Sequence, residues 1–157
     1  MKPDIDDLAL VCQVFLKNQV RFIVIGAHAC ALHGHIRATV DVDLLIQDKN
    51  ENIEKAILAI QELYPHLAEP ITVADFRESI VVKILDEPEL DVSLSAWSVT
   101  FDQAEKRTEI VVLDGVEIPF MGLADLIQSK STQRDQDKWD VAVLREIERK
   151  RVETRDP

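Results

Sequence analysis

Residues 39–46, Thr39-Val40-Asp41-Val42-Asp43-Leu44-Leu45-Ile46, set two carboxylates at alternate positions in a run otherwise rich in Val, Leu and Ile. Alternate side chains of a strand share a face, so Asp41 and Asp43 point the same way, with Cα atoms roughly 6.5–7 Å apart. Unpaired carboxylates resist burial. The run therefore reads either as an edge strand with a wet face or as a strand whose acids grip a common cation.

The segments around it narrow the choice. Arg21-Phe22-Ile23-Val24-Ile25-Gly26 is a short apolar, β-rich run ended by glycine, which predicts a strand buried on both faces. A short helix from Ala27 to about His33 follows, with Gly34 able to stop it in a left-handed conformation. Strand, glycine, helix N-terminus and then a strand with paired acids is a layout that can hold a polyphosphate between backbone amides and a cation. Glycine at that bend permits close backbone approach. Magnesium prefers oxygen ligands and bridges carboxylates to phosphate oxygens, so the pairing makes chemical sense.

Elsewhere the pattern predicts a helix over about 4–18 capped by Asp4, and one from Asn50, as its cap, to Leu63. The stretch 66–78 gives no reading. Strands Ile80–Leu85 and Leu90–Ser95 form a hairpin through Asp86-Glu87-Pro88-Glu89, and Glu109–Leu113 and Val116–Met121 form another through Asp114-Gly115. Helices near 122–131 and 135–150 close the chain, whose residues from Arg149 onward read as a solvated helix end. At 157 residues, with no repeat or linker, the chain is the size of one domain. The order of elements is α+β with a mixed sheet.

In Leu90-Asp91-Val92-Ser93-Leu94-Ser95, Asp91 shares a face with Ser93 and Ser95. It is a candidate to ligate a second metal and to deprotonate an acceptor hydroxyl, or it belongs to the polar face of an ordinary antiparallel strand. Asp86, Glu87 and Glu89 are weaker candidates because they fall in the turn.

Together, Ile25-Gly26-Ala27-His28-Ala29, His33-Gly34, Arg37, Thr39, Asp41 and Asp43 resemble the signature of the nucleotidyltransferase (DNA polymerase β-like) superfamily. The likeness is nearest to its small bacterial members, the minimal nucleotidyltransferases and the toxins of abortive-infection type IV systems. Leu123-Ala124-Asp125-Leu126-Ile127, Lys130, Arg134, Asp137 and Asp140 are similar to that group's C-terminal pattern, so the likeness spans about residues 20–145. It implies an α/β nucleotidyltransferase fold and a magnesium- or manganese-dependent transfer of a nucleoside monophosphate from a triphosphate to a hydroxyl of protein, RNA or a small molecule. Carried over by position, Asp41, Asp43 and Asp91 bind metal, with Asp91 also the base, and Gly26, Ala27 and His28 lie at the phosphates. Ala27 departs from the Ser or second Gly of many members, and Gln136 from a frequent Lys. A weakly active or inactive module that binds nucleotide or a partner such as an antitoxin is the alternative.

The remaining residues carry two readings each. Arg37 either neutralises phosphate or pairs with Asp41 or Asp43. Thr39, Lys130 and Arg134 are candidate nucleotide contacts, although the last two could equally be solvated. His28 also fits packing near the helix start, and His28, His33 and His35 lack zinc spacing. Trp97 and Trp139 read as core or rim aromatics, not stacking platforms. Cys12 and Cys30 read as buried free thiols. A net charge of −11 disfavours an extended nucleic-acid surface. The acidic N-terminus and the lack of any apolar run near 20 residues predict a cytoplasmic chain without a membrane span.

Overall fold

The computed structural model describes residues 5–155. Helix α1 (Ile5–Lys17) leads to strand β1 (Phe22–Ile25), helix α2 (Gly26–Leu32), strand β2 (Asp41–Ile46) and helix α3 (Asn50–Leu63). Then come α4 (Val73–Glu78), β3 (Val82–Ile84), β4 (Glu89–Ser93), β5 (Ser95–Ala96), β6 (Val99–Thr100) and α5 (Phe101–Glu105). Strands β7 (Glu109–Leu113) and β8 (Val116–Phe120) precede α6 (Leu123–Ser129) and α7 (Asp135–Arg155).

Six strands form one mixed sheet in the order β3-β4-β2-β1-β8-β7. Strand β1 is antiparallel to β2 and parallel to β8, while β2 runs parallel to β4. The alternation in β2 sorts its side chains between two cores. Val42, Leu44 and Ile46 join Leu8, Phe15, Ile53 and Ile60 of α1 and α3 on one face. Leu45 joins Ile23, Ala29, Leu126 and Leu144 on the other, beneath α2, α6 and α7. Each fully buried Leu or Ile contributes about 1.5–3 kcal/mol. Asp41 and Asp43 share the parity of Leu45, and so lie on the α2–α6 face where the packed layer ends.

Several expected elements shift. Asn50 does not cap α3. The cap position is Lys49, without a side-chain bond, and the Asn50 amide oxygen accepts instead from Arg77 Nη2 at 2.7 Å. Asp4, the expected cap of α1, lies outside the described residues. The unread stretch holds α4, started by a capping box in which Asp75 Oδ2 accepts from the Thr72 amide at 2.8 Å and Thr72 Oγ1 from the Asp75 amide at 3.3 Å. The β5–β6 ribbon and α5 have no counterpart in the sequence reading. Asp114 (φ 50°) and Gly115 (φ 76°) take the positive angles expected of their turn, and Gly34 (φ 108°) follows the end of α2. Helix α7 continues to Arg155, its exposed last turns linked by Arg149 to Glu146 and Glu153. Cys12 and Cys30 are buried and free. Among the described residues, no helix is long and apolar enough to cross a membrane.

Candidate active site

The parallel register of β2 and β4 pairs Asp43 with Asp91 and Asp41 with Glu89. Because paired residues on neighbouring strands share a face, Asp41, Asp43 and Asp91 come together. Glu89 joins them as a fourth carboxylate. Sequence reasoning set it aside as a turn residue, but it is the first residue of β4, and its carboxyl is raised above the usual range, first by a hydrogen bond with Asp41.

Gly26 explains how Asp43 fits. At φ +69° it turns the chain from β1 into α2, and a Cβ there would lie 2.8 Å from Asp43 Cγ and 2.9 Å from Asp43 Cβ. The glycine thus makes room for the carboxylate of its own site, a role that the sequence reading had assigned to an incoming ligand. Burial first, and then the charges of Asp91 and Asp41, push Asp43 up to about 7, with Lys130 acting the other way. Asp43 also shares a hydrogen bond with Asp91. One proton between crowded acids relieves their repulsion.

Lys83 stands opposite Asp91 in the antiparallel β3–β4 pair and places Nζ 2.8 Å from Asp91 Oδ2. Its ammonium is held above the ordinary lysine range, chiefly by that bond. Sequence reasoning missed Lys83, although its place on the strand paired with Asp91 was a usable signal. The donor chemistry suits a hard cation, and Asp41 Oδ1 is buried without a hydrogen-bond partner. Among the described residues, however, no three His, Cys, Asp or Glu side chains already converge on one ion position. Lys83 holds Asp91, and Asp43 and Asp91 bond to each other.

These acids floor a cleft of about 880 Å³. Gly26, Ala27, Arg37, Thr39, Lys130 and Arg134 line it. His28 does not. It is buried in α2 away from the cleft wall, as its alternative reading of packing near the helix start had it. Arg37 pairs with neither Asp41 nor Asp43. Its Nε and Nη2 donate to Asp140 Oδ1 and Oδ2 at 2.9 and 3.0 Å. Asp140, fully buried, also faces Lys130 Nζ at 2.9 Å and accepts from His35 Nε2 at 2.8 Å. Burial alone would raise this carboxyl, but the bonds from Lys130, Arg37 and His35 outweigh it and hold it at about 2. Lys130 is therefore buried and paired, not solvated, while Arg134 is exposed and lies 3.6 Å from Asp137. Gln136, where Lys is frequent, donates to Asp140 at 3.1 Å. Thr39 Oγ1 accepts from the Asp41 amide at 3.3 Å, fixing the start of β2. His33 bonds the Met121 carbonyl at 2.7 Å.

A family described as a nucleotidyltransferase of unknown function, DUF6036, matches residues 5–154. The chain belongs to this family. A search of curated proteins by sequence finds no match. Two solved structures resemble this chain in fold. An antigenic nucleotidyltransferase-like protein from Paracoccidioides brasiliensis has a TM-score of 0.57 at 15% identity, covering 92% of this chain and 77% of that one. A Thermotoga maritima protein provisionally described as a nucleotidyltransferase has a TM-score of 0.55 at 13% identity, covering 96% and 91%. At such identities the likeness is one of fold.

Proposed function

We propose that this nucleotidyltransferase-family chain, acting as one domain, moves a nucleoside monophosphate from a nucleoside triphosphate to a hydroxyl acceptor. The acceptor oxygen bonds to the α-phosphorus as the bond to the pyrophosphate oxygen breaks, and the hydroxyl proton passes to Asp91. The reading is carried by the register that sets Asp43 opposite Asp91 while Gly26 folds against Asp43. Asp41, Asp43 and Asp91 would hold magnesium or manganese, which supplies charge neutralisation at the phosphate oxygens.

This chain's own residues do the rest. Lys130 and Arg37, fixed by Asp140, give the cleft a cationic wall toward which phosphates are drawn. Lys83 must release Asp91 before it can take a proton. Its side chain is half exposed and its stem is long, so the swing is sterically open.

A second reading, a nucleotide-binding module without transfer, is favoured by the Lys83–Asp91 pair and by Ala27, which offers no hydroxyl to phosphate. Incubation with α-labelled triphosphates and manganese or magnesium, against cell protein, RNA and small polyols, separates the two. Label in one acceptor pool that falls about 10²–10⁴-fold in Asp91→Asn supports transfer. Triphosphate binding with no labelled acceptor in any pool would leave the module reading in its place.

A further inference from the structure

Strands β5 and β6 pair Ser95 with Thr100 and Ala96 with Val99, leaving Trp97-Ser98 as a two-residue connection. Trp97 takes φ 55°, in the left-handed region. A bulky side chain is rarely found there, and such strain persists only where its surroundings impose it. The ribbon holds it: Gln128 Nε2 donates to Ser98 Oγ at 3.0 Å, fastening the turn to α6 two residues before Lys130. The result is a tryptophan 65% exposed on the wall of the cleft. Ile80, itself 93% exposed, and Ala96 line the same cleft. An aromatic ring left in water, on a strained turn tied to the helix that ends at Lys130, does little for the core.

We propose that Trp97 is the base-binding residue of the cleft, stacking the nucleobase of the triphosphate whose phosphates lie toward Lys130 and the carboxylates. This deepens the proposed function and rests on it. A nucleoside triphosphate has one anionic end and one flat aromatic end. The cleft has matching parts, with Asp41, Asp43, Asp91, Arg37 and Lys130 for the phosphates and, at the β5–β6 turn, Trp97 with Ile80 and Ala96 for the base. Stacking tolerates any base but favours the larger purine surface. Trp97 thus sets donor preference, while the acids and Lys130 act on the phosphates.

The experiment compares ATP, GTP, CTP and UTP with inorganic tripolyphosphate, in manganese, on wild type, Trp97→Gly, Trp97→Phe and Trp139→Phe. Trp97→Gly should bind ATP about 5- to 150-fold more weakly, the range of one lost base stack. Its tripolyphosphate affinity should not change, and Trp97→Phe should stay near wild type. The chain has two tryptophans, so Trp139→Phe isolates Trp97, whose fluorescence ATP should quench and tripolyphosphate should not. A structural residue would lose stability on truncation, whereas glycine relieves the positive φ here, and Trp97→Gly should melt no lower than wild type. Equal ATP binding by wild type and Trp97→Gly, with tripolyphosphate still bound, overturns the inference and leaves the proposed function standing. If wild type binds neither ATP nor tripolyphosphate, the proposed function falls and this inference with it.

Discussion

Asp43 on β2 and Asp91 on β4 are register partners in a parallel pair and share a hydrogen bond on the floor of the cleft. Two acids so placed cannot both ionise freely without a cation nearby. The fold therefore stores electrostatic stress at the point where the proposed chemistry needs negative charge.

That stress fixes a pH dependence. Asp43 is raised from 3.8 to about 7, chiefly by burial. Between those values the folded chain holds a proton that the unfolded chain has lost, so its stabilising contribution is complete below about 4 and is lost as pH rises through about 7. Asp43→Asn keeps a hydrogen-bonding group but no charge. Thermal melts from pH 4 to 8 without divalent metal should show the variant losing less stability than wild type. At pH 8 it should melt at least about 2–4 °C higher, the shift that 1 kcal/mol makes in a chain of this size. Parallel curves would mean that Asp43 ionises without penalty in the folded state.

Gly26→Ala tests the same carboxylate from the other side. The new Cβ would have to displace Asp43, and alanine at φ +69° adds left-handed strain of about 1–2 kcal/mol. Denaturant unfolding should show a loss of at least that size, and manganese binding should weaken with it. An unchanged unfolding midpoint would mean that the β1–α2 bend relaxes at no cost.

Asp140 gathers Arg37, Lys130 and His35 at a fully buried position. Asp140→Ala leaves the Arg37 and Lys130 cations partly buried without their partner, a change that typically destabilises by about 3–5 kcal/mol. Because the Asp140 carboxyl is held at about 2 in the fold, its contribution is full above about 4 and is lost as pH falls through about 2. Acid titration followed by circular dichroism should show wild type losing more stability in that window than Asp140→Ala does.

Periodicity made much of this legible. The alternation of Asp41, Val42, Asp43 and Leu44 predicted the strand and its acidic face, and Asp114-Gly115 predicted its turn, because both signals are local. What could not be read was pairing between distant segments. Arg37, 103 residues from Asp140, was expected either at a phosphate or at the nearer acids Asp41 or Asp43. Glu89 was misjudged because Pro88 suggested that the turn lasted one residue longer than it does. Trp97 was grouped with core or rim aromatics because a sequence cannot show that a two-residue turn holds an indole in water. The family resemblance named Arg37, Lys130 and Asp140 one by one, and their joining in a single network emerged only with the fold.

The Lys83–Asp91 pair yields the last prediction. A lysine ammonium 2.8 Å from Asp91 Oδ2 competes for an oxygen that a divalent cation would need. Half of the lysine side chain is exposed, so the pair is worth no more than a surface ion pair, about 0.2–1 kcal/mol. Lys83→Met keeps the apolar stem and removes the charge. Removing a competing cation should tighten manganese binding, measured by titration calorimetry without nucleotide, by about 2–5-fold at low salt. The gain should shrink in 0.5 M salt, where screening weakens the exposed charge. If Lys83→Met instead binds manganese more weakly, Lys83 organises the carboxylates for the metal and does not stand in its place. Asp91→Asn should then bind manganese poorly whether or not Lys83 is present, because the oxygen for which the two cations compete has lost its charge.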